Sequence, residues 1–384
     1  MKIFHTADWH LGKLVQGFYM TDDQREVMQQ FIKAVEEERP DAIIIAGDLY
    51  DRAVPPVDAV NLYDELLTTL AYDLQTPVLV IAGNHDSPGR LQFGRAFMQT
   101  NRYYVTGHLA DAMEPIVLHD DDGPVHFYLI PYVDPSIVRV TFDDESVRSH
   151  DDAMRVIVEQ IKRQMDPSVR NVLVAHAFVT ASGEADDTKT SDSERPLAIG
   201  GAEYVKSTHF DAFDYVALGH LHQAHRVGSD HIRYAGSPLK YSLSEQHHKK
   251  GFYAVTLDRD GELTVEQRRL YPKRDVRSIE GTLENILAMK PSEDYVFVTL
   301  LDEEPVLRPM ERVRAVFPNA MHVERRLIVN QEMEDWETIR QTKRATDSEL
   351  FAAFYKNIRG DVPSHEALRI FEEALRATEE EEQE

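Results

Sequence analysis

The chain has 384 residues, of which 42% are hydrophobic and 28% charged, and its 67 acidic and 42 basic residues give a net charge of −25. This composition is typical of a globular protein with room for a large domain and smaller additions. The absence of cysteine excludes disulfides and thiolate metal sites. No apolar stretch approaches the length of a membrane span. Because Met1–Phe4 leads directly into an apolar run, we expect no signal peptide and a cytoplasmic location.

Five short apolar runs in the first 222 residues each end in Asp, Asn or His. The runs predict buried strands, and they are Lys2–Ala7, Ala42–Ala46, Val78–Ala82, Val172–Ala175 and Tyr215–Leu218. The groups that follow them are Asp8-Trp9-His10, Gly47-Asp48-Leu49-Tyr50-Asp51, Gly83-Asn84-His85-Asp86, His176 and Gly219-His220-Leu221-His222. Strand ends of α/β folds gather along one edge of a sheet, which predicts a common site there.

The local pattern also predicts how these side chains are presented. Residues two apart on a strand project to the same side, so Asp8 is expected beside His10, and His220 beside His222, if the strand conformation continues. Glycines are expected to let the backbone turn sharply as it leaves three of the strands, and they are Gly47, Gly83 and Gly219.

The ligand types indicate a chemistry. Carboxylate, amide oxygen and imidazole together favour Mn²⁺, Fe²⁺ or Zn²⁺ over Mg²⁺ or Ca²⁺. Two such ions roughly 3.5–4 Å apart can clamp both oxygens of a displacement at phosphorus. One carboxylate must bridge them, and Asp48 is the natural choice because it follows a glycine turn in the middle of the motif order. His176 alone would fit a buried core histidine; the ordered set makes metal-dependent phosphoester hydrolysis the leading hypothesis.

Helices alternate with the strands. Thr21-Asp22-Asp23-Gln24 resembles a capping box that opens a helix ending before Pro40, and further helices are predicted over Val57–Leu74 and Asp152–Met165. The alternation favours an α/β core. Ser182–Gly201 is polar and without period, which fits either a mobile surface loop or a substrate-side loop. Gly251–Leu257 and the turn that follows it predict a β-hairpin.

The pattern changes near residue 275. Strand, helix, strand, helix and strand are predicted in turn, over Val276–Ile279, Leu283–Met289, Asp294–Leu301, Met310–Phe317 and Met321–Glu324. A polar linker (328–347) precedes two amphipathic helices, Ser348–Asn357 and Ser364–Ala377, and a frayed acidic tail (378–384). A helix pair this short buries little area alone, so docking on a partner is favoured over packing on its own core.

In this order the motifs resemble the calcineurin-like metallophosphoesterase superfamily, which implies an α/β fold with a β-sandwich core flanked by helices. The resemblance implies that one ion is held by Asp8, His10, Asp48 and His222, and the other by Asp48, Asn84, His176 and His220. His85 would contact the scissile phosphate and protonate the leaving oxygen. Asp51 would orient His85, and Arg52 would contact phosphate.

The whole chain is similar to the SbcD family of bacterial nuclease subunits, through His5–Gly12 and through Ala235–Ser242 followed by Lys250-Gly251. This implies a nuclease domain (1–272), a small α+β DNA-binding cap (275–327) and a helical hairpin (348–377) that binds an SbcC-like SMC-family ATPase. It also implies two Mn²⁺ ions, with other divalent metals such as Mg²⁺ as substitutes. The implied activities are 3′→5′ exonuclease on duplex DNA and endonuclease on hairpins. The protein is expected to be a homodimer and to associate with the nucleoid when it is bound to DNA.

Other classes stay open at this stage. The acidic net charge neither supports nor excludes DNA, although a local basic surface is expected around Lys240 and Lys250, which we predict as substrate contacts together with Arg52. A phosphodiesterase or phosphatase of the same superfamily acting on small molecules is the main alternative. It lacks an evident need for the residues that follow the core. A non-catalytic scaffold is the other alternative, and drift in a scaffold would be expected to lose some of the ligands.

Overall fold

The computed structural model describes residues 1–184, 189–194, 203–326, 346–359 and 361–381, with backbone alone for 356–359 and 377–381. The chain divides into two compact units. The first comprises Met1–Ser278 and Glu293–Phe297, and the second comprises Ile279–Ser292 and Val298–Glu384.

The strands of the first unit begin with β1 (Lys2–Thr6), β2 (Leu14–Val15), β3 (Phe18–Tyr19), β4 (Ala42–Ile45), β5 (Val78–Ile81), β6 (Tyr103–Thr106), β7 (Ile116–Asp120) and β8 (Gly123–Ile130). They continue with β9 (Arg170–His176), β10 (Phe178–Thr180), β11 (Tyr204–Lys206), β12 (Tyr215–Gly219), β13 (His225–Val227), β14 (Ser229–Tyr234), β15 (Gly251–Leu257) and β16 (Leu263–Arg269). The remaining strands, which lie partly or wholly in the second unit, are β17 (Val276–Gly281), β18 (Tyr295–Leu300) and β19 (Ala320–Arg325).

The α-helices are α1 (Thr21–Glu38), α2 (Val57–Leu67), α3 (Pro88–Leu91), α4 (Arg95–Gln99), α5 (Pro135–Phe142), α6 (His150–Gln164), α7 (Leu283–Leu287), α8 (Pro309–Arg314), α9 (Asp347–Arg359) and α10 (His365–Glu381). A π-helical turn, Thr68–Asp73, continues α2. All five predicted ligand-bearing strands and all three predicted helices of the core are confirmed. The hairpin β7–β8 and helix α5 are elements that the sequence reading left out.

Two six-stranded sheets form the first unit, with strand orders β16-β15-β1-β4-β5-β6 and β13-β14-β12-β9-β8-β7. In the first sheet β1, β4, β5 and β6 run parallel, and β15 lies antiparallel to β1. In the second, β8, β9, β12 and β14 run parallel. All five ligand-bearing strands therefore lie in the parallel parts, where carboxyl ends share one edge. The predicted α/β class with a two-sheet core is confirmed.

Both sheets are buried on the faces that meet. Alternate residues of β9 serve different layers: Val172 and Val174 join a core cluster with Ile44 of the first sheet, whereas Leu173 joins a second cluster with Ile157 of α6. Strands covered on both faces read as continuous apolar runs rather than as alternating patterns. For this reason the strands could be predicted from the sequence.

The predicted capping box at the start of α1 is wrong. The helix begins at Thr21 without a side-chain cap. Asp23, which is buried, instead accepts hydrogen bonds from the Arg274 guanidinium (3.0 Å) and from the Tyr295 hydroxyl (2.7 Å). A buried carboxylate is stabilised by such charged and neutral donors. Gln24, which the capping box would use at the helix end, also bonds elsewhere: its amide group accepts from the Gly12 backbone N–H (3.0 Å) and donates to the His10 carbonyl (2.8 Å).

The second unit contains the C-terminal helices. Helix α9 packs on α10 through Phe351 and Phe371, whose rings stack with centroids 4.2 Å apart and planes 7° apart. The alternating strand and helix order predicted over 276–324 is confirmed, with β17, β18 and β19 side by side in one sheet. The predicted frayed tail is corrected in part, because α10 continues to Glu381. Residues 382–384 and most of the predicted linker lie outside the described residues.

Within the described parts of the chain, no helix is long and apolar enough to cross a membrane.

A partly buried ion pair at the edge of the second sheet yields a stability prediction. Arg170 donates to both carboxylate oxygens of Asp120, at 2.8 and 2.5 Å. Hydrogen bonds from Arg170 outweigh burial and hold the pKa of Asp120 far below its usual value. The carboxylate therefore stabilises the fold above the unfolded-state pKa of about 3.9, and this contribution is lost as pH falls towards the folded-state pKa.

We expect Asp120→Asn to lower the free energy of unfolding by about 2 kcal/mol at pH 7, the size of a hydrogen bond to a charged group. The difference from wild type should shrink as pH is lowered from about 4. Urea unfolding followed by circular dichroism at pH 7 and pH 3 measures both values. Equal differences at the two pH values would contradict this assignment.

Candidate metal centre

The polar groups at the strand ends meet in a buried cluster. In addition to His10, Asp51 and His85, two fully buried sets of side chains each place one ligand atom within 4.8 Å of the others in the set, and they are Asp8, His10, His222 and Asp48, His176, His220. All six residues are buried. Buried carboxylates and imidazoles in such numbers require a compensating cation or proton. The predicted gathering at the edge of the sheets is confirmed.

The backbone that presents these residues is unusual. Positive φ angles occur at Asp8 (54°), His10 (46°), Asp48 (50°) and His220 (106°). Non-glycine residues in this region cost about 1–3 kcal/mol each and persist where the surroundings impose them, often at functional sites. Asp8 and His10 do share one set, as expected, but β1 ends before Asp8, so strand periodicity is not the reason. Strand β12 likewise ends at Gly219, and His220 and His222 belong to different sets.

The three glycines that open the motifs serve two different needs. Gly47 has φ +89°, so it provides the predicted turn. Gly83 and Gly219 have ordinary φ angles, and a side chain there would overlap with Asp48 and with the Ala46 carbonyl respectively. Two of the three glycines are therefore required for close approach of the loops rather than for a turn.

The first set places two ring nitrogens face to face. The Nε2 atoms of His10 and His222 are 3.0 Å apart, a separation expected for two nitrogens that each lie about 2.1 Å from one ion. His10 Nδ1 is buried and has no hydrogen-bond partner among the described residues. Both carboxylate oxygens of Asp8 accept from the His220 backbone N–H, at 2.9 and 3.1 Å, and this bond links the two sets.

The second set surrounds Asp48. His176 Nδ1 donates to the Ala46 carbonyl (2.9 Å), so its Nε2 faces Asn84 Oδ1 at 2.9 Å and Asp48 Oδ2 at 3.4 Å. If the His176 ring were neutral, the lone pair on its Nε2 would face the oxygen atoms of Asn84 and Asp48. That arrangement needs either a cation between the nitrogen and the oxygens or a proton on Nε2. Burial opposes that proton, but Asp48 raises the pKa of His176 to about 9.

Burial and the charges of neighbouring side chains set the pKa values of the other residues in the cluster. Burial would raise the pKa of Asp48, but His176 and His10 outweigh it and hold that pKa well below its usual range. Burial raises the pKa of Asp8 to about 7. Burial also holds the pKa of His10 and of His220 well below the ordinary value, so both rings are neutral and offer lone pairs. Neutral imidazoles beside carboxylates fit divalent ions of the first transition row.

A positioning residue that the sequence reading passed over is Asp86. Its carboxylate accepts from the backbone N–H groups of Leu49 (3.1 Å), Tyr50 (3.0 Å) and Gly83 (3.0 Å). It therefore joins the loop after β4 to the loop after β5 and sets the distance between them. Burial raises the pKa of Asp86 to about 7.

His85 lies beside the cluster, and its backbone N–H donates to Asp48 Oδ1 (2.8 Å). Its ring Nδ1 is 2.8 Å from the backbone carbonyl of Asp51, so Nδ1 donates and Nε2 faces the cluster, 3.9 Å from Asp48 Oδ2. The Asp51 carboxylate accepts from Lys13 Nζ (2.8 Å). The contact predicted between Asp51 and His85 thus exists, and the carbonyl makes the hydrogen bond to the ring.

The three predicted phosphate contacts differ in availability. The Arg52 side chain is 52% exposed. Lys240 is nearly buried, and its Nζ bonds to the Gln246 carbonyl (2.6 Å) and to Asp275 (2.7 Å). Lys250 is buried, and its Nζ donates to three internal acceptors. The prediction that Lys250 contacts substrate is therefore corrected, because its ammonium group has no proton left to donate.

A second layer around His222 also escaped the sequence reading. His222 Nδ1 lies 3.1 Å from Glu245 Oε1 and 2.8 Å from Ser193 Oγ, and the His222 backbone N–H donates to Glu194 Oε1 (2.7 Å). Ser193 and Glu194 come from the polar segment expected as a loop. Glu245 is the last residue of a short 3-10 helix, Leu243–Glu245, and the only local signal there is the Ser242-Leu243-Ser244-Glu245 pattern typical of a helix start.

Comparison with known proteins follows the same division of the chain. The sequence profile of the calcineurin-like phosphoesterase family matches residues 1–224. A profile described as the type 5 capsule protein repressor C-terminal domain matches residues 272–359. The chain is 34% identical over 362 residues to the SbcD subunit of the SbcCD nuclease of Staphylococcus epidermidis, with 93% of each chain covered.

Solved structures offer more distant likenesses. A protein of Thermus thermophilus is 12% identical with a TM-score of 0.39, covering 69% of this chain and 98% of that one. A dimetal phosphatase from Danio rerio is 12% identical with a TM-score of 0.41, covering 70% of this chain and 96% of that one. Because both TM-scores are below 0.5, neither likeness bears on the site or the reaction.

Because ring nitrogens and oxygen atoms face one another in the cluster, we predict that a divalent ion stabilises the fold. At a free Mn²⁺ concentration of about 100 times the dissociation constant, the gain is about 2.7 kcal/mol, which differential scanning calorimetry detects as a higher unfolding temperature. Asp48→Ala should abolish the rise, and Asp120→Asn, a carboxylate change outside the cluster, should keep it. An undiminished rise in Asp48→Ala would contradict the assignment.

Proposed function

Because this chain belongs to the SbcD family within the calcineurin-like phosphoesterases, we propose that it is a Mn²⁺-dependent DNA nuclease that hydrolyses phosphodiesters at the buried cluster. The proposal rests on one observation. Ring nitrogens and oxygen atoms converge around Asp48, and the two Nε2 atoms of His10 and His222 face each other, which is an arrangement suited to binding cations. We propose Asp8, His10, Asp48 and His222 as ligands of one ion. Asp48, Asn84, His176 and His220 would hold the second.

Divalent ions bound there supply Lewis acidity and a nucleophile at neutral pH. The chain's own contribution begins with orientation: the Ala46 carbonyl holds His176 so that Nε2 points at Asp48 and Asn84. His85 is held in the same way by the Asp51 carbonyl, which leaves Nε2 on the side of the cluster. We propose that His85 acts as the imidazolium, protonated on both nitrogens, and donates its Nε2 proton to the leaving oxygen as the P–O bond breaks, which leaves the ring neutral with Nδ1 still protonated. Arg52, which is half exposed beside Asp51, is the proposed phosphate contact.

The proposed substrate is DNA, cut from 3′ ends of duplexes and at hairpins. Support comes from the relative named as part of a nuclease, which aligns over 93% of this chain rather than over the core alone. We propose that the region after about residue 275 contributes DNA binding as a cap. A small-molecule phosphodiesterase would leave that region without a role.

The C-terminal helix pair is the proposed docking element for an SbcC-type ATPase. Its two aromatic rings at 351 and 371 stack on each other, while Phe354 is 49% and Ile370 55% exposed. Apolar side chains exposed on an amphipathic helix pair are suited to helix-in-groove or coiled-coil packing. The related nuclease is itself named as one component of a complex.

A homodimer is proposed through the helices near the cluster. Val57, Val60, Phe93 and Phe97 are exposed, and Val60 and Phe93 line a largely apolar cavity of about 300 Å³ with Tyr63. Large apolar side chains exposed together are typical of protein interfaces.

The nuclease proposal predicts that the purified chain, with its ATPase partner, shortens a 5′-labelled linear duplex in Mn²⁺. Asp48→Ala should leave the duplex intact because the shared carboxylate is lost, and chelation of Mn²⁺ should do the same. Denaturing gel electrophoresis measures the products. An intact duplex together with hydrolysis of a generic phosphodiester dye would favour the small-molecule alternative.

The role proposed for His85 predicts a loss confined to chemistry. His85→Ala should slow cleavage about 10²–10⁴-fold, the usual contribution of a general acid, while Mn²⁺ binding measured by calorimetry stays within about threefold of wild type. The ring has no proposed bond to an ion. Loss of Mn²⁺ binding in His85→Ala would place the ring among the ligands instead.

The docking assignment predicts that a chain lacking residues from Ser348 onward retains Mn²⁺-dependent hydrolysis and loses the ATPase partner. Phe354→Asp in the full chain tests the same surface with one change, and Glu373→Lys on the same helix pair serves as a charge control. Size-exclusion chromatography of the mixed proteins measures complex formation. Full complex formation by the truncated chain would refute the assignment.

A further inference from the structure

We propose that Glu245, held by Lys250, positions the His222 imidazole for metal binding, so that these two residues set the affinity of one of the two ion sites. The inference rests on the proposed function, because it concerns a ligand of the proposed metal centre. It assigns a role to a buried ion pair that the reaction itself does not use.

Glu245 selects the tautomer of His222. It is fully buried, and its Oε1 lies 3.1 Å from His222 Nδ1. A carboxylate only accepts hydrogen bonds, so Nδ1 carries the proton and the lone pair is left on Nε2. Nε2 is the atom that faces His10 Nε2 across 3.0 Å. A carboxylate behind a ligating histidine both orients the ring and makes it a stronger ligand.

Lys250 connects the ring of His222 to its backbone. Its Nζ donates to the His222 carbonyl at 2.9 Å, to Ser237 Oγ at 2.7 Å and to Glu245 Oε2. The same ammonium group therefore contacts the main chain of His222 and the carboxylate that holds its ring. Three acceptors use all three of its protons, so the group neither moves freely nor reaches solvent.

The segment 189–194 completes the support. Ser193 Oγ lies 2.8 Å from His222 Nδ1 and donates to Glu245 Oε1, and Glu194 Oε1 accepts from the His222 backbone N–H at 2.7 Å. The backbone N–H, the carbonyl and Nδ1 of His222 are thus all engaged, whereas His10 Nδ1 has no hydrogen-bond partner within the described chain. The backbone of His10 is also hydrogen-bonded, so the two facing rings differ at Nδ1, where His222 alone has a partner that fixes its tautomer.

A purely structural role would not require Glu245 and Lys250 to be charged. Buried ion pairs can be replaced by uncharged residues of similar volume at little cost in stability. Retaining a Lys–Glu pair directly behind one imidazole is understandable if the pair controls that imidazole. Loss of a partner behind a metal ligand typically lowers metal affinity about 10–100-fold.

The decisive variant is the double substitution Glu245→Gln with Lys250→Met, in the full-length protein. It removes both charges, so no uncompensated ion is left in the interior. We expect an unfolding temperature of the metal-free protein close to that of wild type. We expect Mn²⁺ titration by calorimetry to show one of two sites weakened about 10–100-fold. Asp120→Asn, which breaks a partly buried ion pair outside the cluster, should leave both affinities unchanged.

Glu245→Asp provides a second test should the double variant fail to fold. It keeps the charge next to Lys250 but withdraws the carboxylate from Nδ1, and the same loss at one site is expected. Electron paramagnetic resonance should then show isolated Mn²⁺ where wild type shows a coupled pair.

Wild-type affinity at both sites in a folded double variant, or in Glu245→Asp, would overturn the inference and leave the proposed function intact. Failure of the wild-type protein to bind Mn²⁺ would instead remove the proposed function, and the inference with it.

Discussion

The placement of Asp48 is the constraint on which the site depends. A fully buried carboxylate is costly unless cations or hydrogen-bond donors surround it, and Asp48 lies among His10, His85 and His176 with the His85 backbone N–H at 2.8 Å. Those residues come from the ends of strands in two different sheets. Bringing them together requires the carboxyl edges of both sheets to converge, and the fold of the first unit is arranged to do that.

The convergence is maintained by hydrogen bonds between sheets rather than by the ligands alone. The Ala46 carbonyl of the first sheet accepts from His176 of the second, and Asp8 accepts from the His220 backbone N–H. Further from the site, His5 Nδ1 lies 2.8 Å from the Tyr215 hydroxyl. Close approach of the loops at the site is possible because Gly83 and Gly219 leave room for it. These hydrogen bonds fix the side chains that we propose as ligands, and fixed ligands lower the ordering cost of binding an ion.

Support for the site is unevenly distributed. Asp86 fixes the spacing of two loops through three backbone N–H groups, and Glu245 with Lys250 holds His222, whereas Arg52 is half exposed and reaches outward. Rigid residues surround the proposed ions, and the group proposed to contact phosphate lies at the surface. This division suits a nuclease of the SbcD family, in which long DNA must reach a fixed centre. The acidic net charge is consistent with it, because bound ions supply positive charge that the formal count omits.

The sequence alone determined the five strands that precede the cluster, the main helices between them and the identity of the clustered residues. Strands buried on both faces are continuous apolar runs, so their ends, and the Asp, Asn and His residues placed there, could be read without a structure. The strands and helices after residue 275 could also be predicted from the sequence, because hydrophobic periodicity is a local property of the chain.

Only the tertiary structure decided how those residues are used. Lys249 and Lys250 are indistinguishable in sequence, yet one is exposed and the other is a buried partner of Glu245. Gln24 was expected to close a capping box, but its side chain donates to the His10 carbonyl and to the hydroxyl of Tyr241, 217 residues away. The strand period failed at Asp8 and His10 because the backbone turns to positive φ after β1. Local rules describe a residue's neighbours along the chain, whereas hydrogen bonding and charge depend on neighbours in space, which only the packing of the two sheets defines.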